Sequence, residues 1–187
     1  VAHEKNIGFL LAMAAEAVKR RPDLLLLVAG EGPALPALRA EAARLGLGEA
    51  VRFTGYLDRH RDLPDCYAAA DVFVFASRTE TQGLVLLEAM AVGLPVVAFA
   101  EMGTIDILAP RQGCRVPAED PVAFADAVVD ILSDAALRAR LGSEAWGYAR
   151  SWSDEAMSAR LATLYLEYHK KNGNPAPWKA HTKARPA

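Results

Sequence analysis

The sequence predicts an α/β domain: a Rossmann-like parallel sheet flanked by helices, with a helical C-terminal end. Three observations predict it. Short apolar runs at Leu24 to Ala29, Val72 to Phe75 and Pro95 to Phe99 read as buried strands. Segments of helical periodicity, about ten to fifteen residues long, alternate with them, as βαβ units require. Glycine and proline close most segments, which sets their limits.

Glu4 to Arg21 reads as a helix because Ile7, Leu10, Leu11, Ala14, Ala17 and Val18 recur at the 3.6-residue period, and Pro22 stops it. Leu24 to Ala29 is a buried strand running into the tight loop Gly30-Glu31-Gly32-Pro33. Leu35 to Leu45 is a helix closed by Gly46, and Val51 to Thr54 a short strand ended by Gly55. Leu63 to Ala70 reads as a helix and Val72 to Phe75 as a strand. Leu84 to Val92 is a helix ended by Gly93, and Pro95 to Phe99 another strand. A loop or short helix follows, then a weak strand around Cys114 to Val116. Pro121 to Leu132 is a helix with proline in its first turn, where no N–H is needed. Ala135 to Tyr148 and Asp154 to Tyr168 complete the helical end. Residues 1–170 read as one domain. From Lys171 onward the chain holds three prolines and several basic residues without periodicity, the pattern of a flexible tail over 171–187.

With 187 residues, 52% apolar and 24% charged, the chain has the profile of a globular protein with one ordinary core. A net charge of -2 offers no basic stripe for nucleic acid. Cys66 and Cys114 have no metal-ligand spacing, and no cluster of metal ligands is visible. Two unframed cysteines and no visible signal peptide point to the cytoplasm. The apolar runs, Leu24 to Gly30 among them, are too short to span a bilayer. Peripheral attachment at the inner membrane face stays open, as does a homodimer.

In parallel sheets ligands bind beyond the carboxyl ends of the strands. Three glycine-containing loops qualify: Gly30 to Pro33, Ser77 to Gly83, and Glu101 to Thr104. The helix opening after Gly83 presents free N–H groups and a positive dipole end, suited to phosphate. Glu80 and Glu88 are separated by seven residues across this loop-to-helix junction. Two helical side chains eight steps apart point roughly 80° apart. With Glu80 in the loop and Glu88 on the helix, both carboxylates can face one ligand. A carboxylate has only acceptors and can take both hydroxyls of a vicinal diol such as ribose. Glu88 otherwise interrupts an apolar helix, where a core residue is expected and a charge needs a partner. Two readings stand beside each other at both positions. Ser77-x-x-Glu80 and Thr79-x-x-Gln82 match the capping-box pattern, and Glu88 equally suits an arginine partner in the core. Trp146 and Trp152 read as packing for the C-terminal helices rather than as sugar contacts.

These residues give the chain a resemblance to the C-terminal, donor-binding domain of a retaining family 4 glycosyltransferase (glycosyl transferases group 1), one half of the GT-B architecture. The resemblance extends to about Tyr168. It rests on Glu4-Lys5-Asn6, Val28 to Pro33, Val51 to Tyr56, Tyr67 to Val74, Glu80 to Glu88 and Gly93 to Ala98, in order. It implies roles at matching positions. Glu80 contacts the transferred sugar as the catalytic carboxylate, and Lys5 binds the donor diphosphate. Glu88 holds the ribose hydroxyls. Backbone N–H groups of Gly83, Leu84 and Val85 cradle phosphate and sugar, with Gly30 and Gly32 as the glycine loop. Phe53, Thr54 and Gly55 flank the base. Without the resemblance, Lys5 reads as a solvated lysine at a helix start.

The resemblance implies a nucleoside-diphosphate sugar donor of the UDP or GDP type, no cofactor and no metal. The acceptor is a lipid or saccharide reached through an N-terminal acceptor domain, and the helix Asp154 to Tyr168 crosses toward that domain. The family commonly has Phe-Gly where this chain has Gln82-Gly83, and a Gly-Gly pair before a Glu where it has Ala100 to Asp106. These departures bear on donor-sugar preference. A Gly-Arg strand end expected just upstream of Val1 is also absent. The expectation is a fragment that lacks its first, central strand, exposes two strand edges, binds donor weakly and transfers nothing. The alternatives are a nucleotide-sugar epimerase of the same architecture and a non-catalytic nucleotide-binding module. An altered sugar on the nucleotide marks the first, and binding without turnover marks the second. A dinucleotide oxidoreductase is disfavoured, because no Gly-x-Gly-x-x-Gly follows a strand.

Overall fold

The computed structural model describes residues 2–172. They fall into two compact units, one up to Arg150 and one from Ser151 on. The first unit contains strands β1 (Leu26–Ala29), β2 (Val51–Gly55), β3 (Phe73–Phe75), β4 (Val96–Ala98) and β5 (Cys114–Arg115). Its helices are α1 (Ile7–Ala17), α2 (Leu35–Arg44), α3 (Asp62–Ala68), α4 (Leu84–Ala91), α5 (Thr104–Leu108), α6 (Pro121–Ser133) and α7 (Ala135–Arg150). The second unit is the helix α8 (Asp154–Asn172).

Every named strand pair is parallel. β1 pairs with β2 from Leu26 opposite Val51, and the register shifts between Val28 and Ala29. β4 lies between β3 and β5, with Val97 opposite Val74 and Arg115. The strands form two sheets, β1-β2 and β3-β4-β5, and among the described residues no ladder joins β1 to β3. Central β4 is fully buried at Val96, Val97 and Ala98, as a strand covered on both faces should be.

The core of the first unit is built largely from one face of α1 and one of α6. Leu10, Leu11, Met13, Ala14 and Ala17 of α1 meet Phe124, Val128 and Ile131 of α6. Phe9, Phe99 and Phe124 pack edge to face, with centroids 4.9 to 5.5 Å apart. Asp120 caps α6, accepting from the Ala123 N–H at 2.9 Å with Pro121 in the first turn.

Three expectations need correction. The first helix begins at Ile7, not Glu4. His3–Lys5 form a separate 3-10 turn, and Asn6 breaks the path at φ 54° while its Nδ2 donates to the Ala76 carbonyl. β1 is not buried on both faces: Leu26 and Val28 enter the core, whereas Leu25 and Leu27 face outward and are exposed. Its apolar run hides a one-sided strand, because helices cover only one of its faces. Trp146 is 49% exposed rather than packed away, with the Arg150 guanidinium 4.8 Å above its ring. The short helix left open after β4 is α5.

In the second unit, Ser153 Oγ accepts from the Ala156 N–H at the start of α8. Met157, Leu161, Leu164 and Tyr165 recur at helical spacing along it, all exposed. Lys171 and Asn172, expected in the tail, belong to its last turn. The rest of the expected flexible tail lies outside the described residues. None of the described helices is long and apolar enough to cross a membrane.

Candidate functional site

The carboxyl ends of β1, β3 and β4 open into the three loops singled out from the sequence. At the β1 end the Gly30 N–H donates to the Gly55 carbonyl at 2.7 Å, tying the ends of β1 and β2 together. The Gly32 carbonyl accepts from the Leu35 N–H as α2 begins. Phe53 turns its ring to the core under the Arg39 guanidinium, 4.9 Å away. Thr54 Oγ1 lies 3.3 Å from the Gly55 carbonyl at the exposed end of β2.

The loop between β3 and α4 carries Glu80. Its backbone is pinned to the loop after β4, where the Gly103 N–H donates to the Glu80 carbonyl at 2.9 Å. A methyl group on Gly103 would lie 2.0 Å from the Thr81 carbonyl oxygen, so only glycine lets these loops meet. The loop after β4 is itself held by buried Thr104, whose Oγ1 accepts from the Glu101 N–H at 2.8 Å. Gly83 then enters α4 at φ 71°, a left-handed conformation that favours glycine, with Ile107 Cδ1 crowding where a methyl would stand. The capping-box reading fails. Gly83 is the N-cap and contributes no side chain, and Glu80 Oε1 instead accepts from the Gln82 and Gly83 N–H groups at 3.3 Å, ahead of the helix. Leu84 and Val85 form the first turn of α4, where N–H groups have no intrahelical acceptor.

Lys5 Nζ meets Glu80 Oε2 at 3.0 Å and stands 5.8 Å from the Phe75 ring centroid. The turn bearing Lys5 is tied to the end of β3 through Ser77, whose hydroxyl donates to the Glu4 carbonyl at 3.0 Å. Lys5 is therefore a fixed partner of Glu80 rather than a freely solvated lysine. Its hydrogen bond, with those from Gln82 and Gly83, holds the Glu80 carboxyl below the usual range.

Glu88 is one and a half turns into α4 and half-buried, not in the core. Its two oxygens are divided between partners. Oε1 accepts from Arg59 at 2.6 Å, and Oε2 accepts from the Tyr67 hydroxyl at 3.3 Å. An arginine partner was one of the readings of Glu88, but it reaches the helix from the surface. Arg59 was not singled out from the sequence, and Tyr67, though within the motif Tyr67 to Val74, was given no role there. Arg59 lies in a charged loop directly after β2, so the rule that ligands gather at strand ends would have flagged it. Asp58 Oδ1 orders that loop by accepting from the His60 and Arg61 N–H groups, each at 3.0 Å. Tyr67 is on α3, packed edge to face on Phe73 at 5.7 Å. Burial, then the Glu88 charge and hydrogen bond, push its phenol up to about 12.

A cavity of about 530 Å³ opens at the other end of β3 and β4, bounded by Asp71, Pro95, Arg138 and Trp146. It shares Tyr67 with the site described above but contains neither carboxylate. The ends that gather Lys5, Glu80, Glu88 and an uncapped helix start are the chemically equipped ones. Burial raises both thiols, Cys66 and buried Cys114, above their usual range. No group of three or more His, Cys, Asp or Glu among the described residues has the geometry to hold a metal ion.

The parallel α/β layer flanked by helices matches the fold of solved GT-B glycosyltransferase domains. The profile described as "Glycosyl transferases group 1" matches residues 1–134, and the chain belongs to that family as a C-terminal domain. It is similar to alpha-D-kanosaminyltransferase of Streptomyces kanamyceticus, 32% identical over 89% of this chain and 44% of that protein. It is also similar to D-inositol 3-phosphate glycosyltransferase of Corynebacterium efficiens, 35% identical over 87% of this chain and 40% of that protein. The chain thus spans less than half the length of these curated relatives. Among solved structures it matches the C-terminal domain of the group 1 glycosyltransferase LpcC from Francisella tularensis. That match has a TM-score of 0.71 and 25% identity, over 81% of this chain and 80% of that one. Anabaena HepE in complex with UDP and glucose shares the fold, with a TM-score of 0.76 and 22% identity over 89% of this chain and 46% of that one.

Proposed function

We propose that the chain is the donor-binding half of a retaining glycosyltransferase that takes a UDP- or GDP-sugar and needs no metal. The observation that carries this is the joining of Lys5 to Glu80 beside the uncapped start of α4, with Glu88 further along the same helix. In transfer, the bond from the sugar C1 to the diphosphate oxygen breaks and a bond from C1 to an acceptor hydroxyl oxygen forms. The electron pair of the broken bond goes out on the nucleoside diphosphate, and its departing oxygen takes up the acceptor proton. Lys5 and the first N–H groups of α4 stabilise the charge growing on that leaving group. Glu80, held ionised by Lys5 and two N–H groups, faces the sugar that develops oxocarbenium character. Glu88 accepts the ribose diol, and the backbone of Phe53, Thr54 and Gly55 lines the base end. The acceptor, a lipid or saccharide, approaches from an acceptor domain, and turnover requires that domain. The protein works in the cytoplasm.

Calorimetric titration of UDP, GDP and ADP tests the reading. One nucleotide should bind selectively, and Lys5→Ala and Glu88→Ala should each weaken it about tenfold or more. Equal binding by both variants overturns the assignment. In the full-length protein, product NMR should show the donor's anomeric configuration preserved.

A further inference from the structure

We propose that Tyr67 is the positioning residue of the Glu88 carboxylate and that Arg59 is its exchangeable partner, displaced when the ribose diol arrives. The inference rests on the donor-site reading of Glu88 and goes beyond it by assigning two residues outside the Glu80-to-Glu88 element.

An ionised carboxylate has about four lone-pair sites on two oxygens. In this structure one contact is taken at each oxygen, by Arg59 at Oε1 and Tyr67 at Oε2. A diol needs two acceptor sites, so it must share the carboxylate with these partners or replace one.

The two partners differ in how firmly they are held. Tyr67 is fixed by its own helix, α3, and by the edge-to-face contact with Phe73. With its phenol pushed up to about 12, it keeps its proton, and remains a donor, across the whole neutral range. Arg59 extends from a loop, and its side chain is 70% exposed against 32% for Glu88. An ion pair with so exposed an arginine contributes little and gives way to water or salt. The Tyr67 bond therefore aims the carboxylate, whereas the Arg59 bond neutralises it until a ligand takes its place. Once released, Arg59 remains a mobile cation at the same strand ends.

The test compares the tighter-binding of UDP and GDP with its 2′-deoxy form, by calorimetry on wild-type, Tyr67→Phe, Arg59→Ala and Glu88→Ala chains. Wild type should prefer the ribonucleotide, and Glu88→Ala should erase that preference. Tyr67→Phe keeps the ring and its packing. It should weaken the ribonucleotide about fivefold and leave the deoxynucleotide within about twofold, because only the diol reads the carboxylate's aim. Arg59→Ala should leave the ribonucleotide within about twofold or tighten it.

Equal losses for both nucleotides in Tyr67→Phe would show a merely structural role and overturn the proposal, as would an unchanged preference. A fivefold loss of ribonucleotide in Arg59→Ala would make Arg59 a ligand contact and overturn the exchange. If Glu88→Ala keeps the full preference, or wild type binds neither nucleotide, the donor-site reading falls and this inference with it. If Glu88→Ala loses the preference while Tyr67→Phe keeps it, this inference alone falls.

Discussion

Glu80 has three donors around one carboxylate: Lys5 at Oε2, and the Gln82 and Gly83 N–H groups at Oε1. All three favour the ionised form, so its pKa in the folded protein is below that in the unfolded chain. A depressed carboxyl contributes stability that is fully present above the unfolded pKa and is lost as pH falls through the folded one. Thermal unfolding of Glu80→Gln against wild type should therefore show a difference at neutral pH that vanishes below the ordinary carboxylate range. With Lys5 42% exposed, that difference should stay near or below about 1 kcal/mol. A difference that persists in strong acid would mean that packing, not charge, is involved. At this scale the sequence supplied Lys5, Glu80 and Glu88 through a resemblance and a spacing. The strand-end rule would have flagged Arg59, but its pairing and that of Tyr67 with Glu88 were not legible, since they lie 29 and 21 residues from it and meet it only when α3 and the loop after β2 fold against α4.

The element that matters most to the site is the junction from β3 into α4. Gly83 adopts φ 71°, and an added methyl would lie 2.7 Å from Ile107 Cδ1. Gly83→Ala should therefore lose about 1–3 kcal/mol of stability from left-handed strain and crowding. It should weaken nucleotide binding as well, because the Gly83 N–H and the first turn of α4 move with it. Denaturant unfolding and calorimetry on one preparation would read both effects, and an alanine variant with wild-type stability and affinity would overturn this account. The predicted element limits all fall within four residues of the observed ones, because glycine and proline stops act locally. The departures have non-local causes. The first helix starts late because Asn6 turns aside to bond Ala76. β1 has one exposed face because burial depends on which helices return to cover it.

For the unit up to Arg150, stability rests on the packing of α1 against α6 and the contact of Phe9, Phe99 and Phe124. Phe124 is completely buried, so Phe124→Ala should cost about 3–5 kcal/mol. That is a large share of the roughly 5–15 kcal/mol that holds a typical protein folded. Calorimetric melting should show a much lower transition or none, whereas a shift of only a degree or two would place the core elsewhere. The sequence by itself determined the α/β class, the order of strands and helices, and the family, because periodicity, local turn chemistry and ordered motifs are written along the chain. Only the tertiary structure decided the division into two sheets, the exposed face of β1, the pairing of Lys5 with Glu80, and the sharing of Glu88 between Arg59 and Tyr67. The reason is physical: a charge takes whichever partner the fold brings within hydrogen-bonding distance, and that distance depends on how separate elements pack, not on their spacing in sequence.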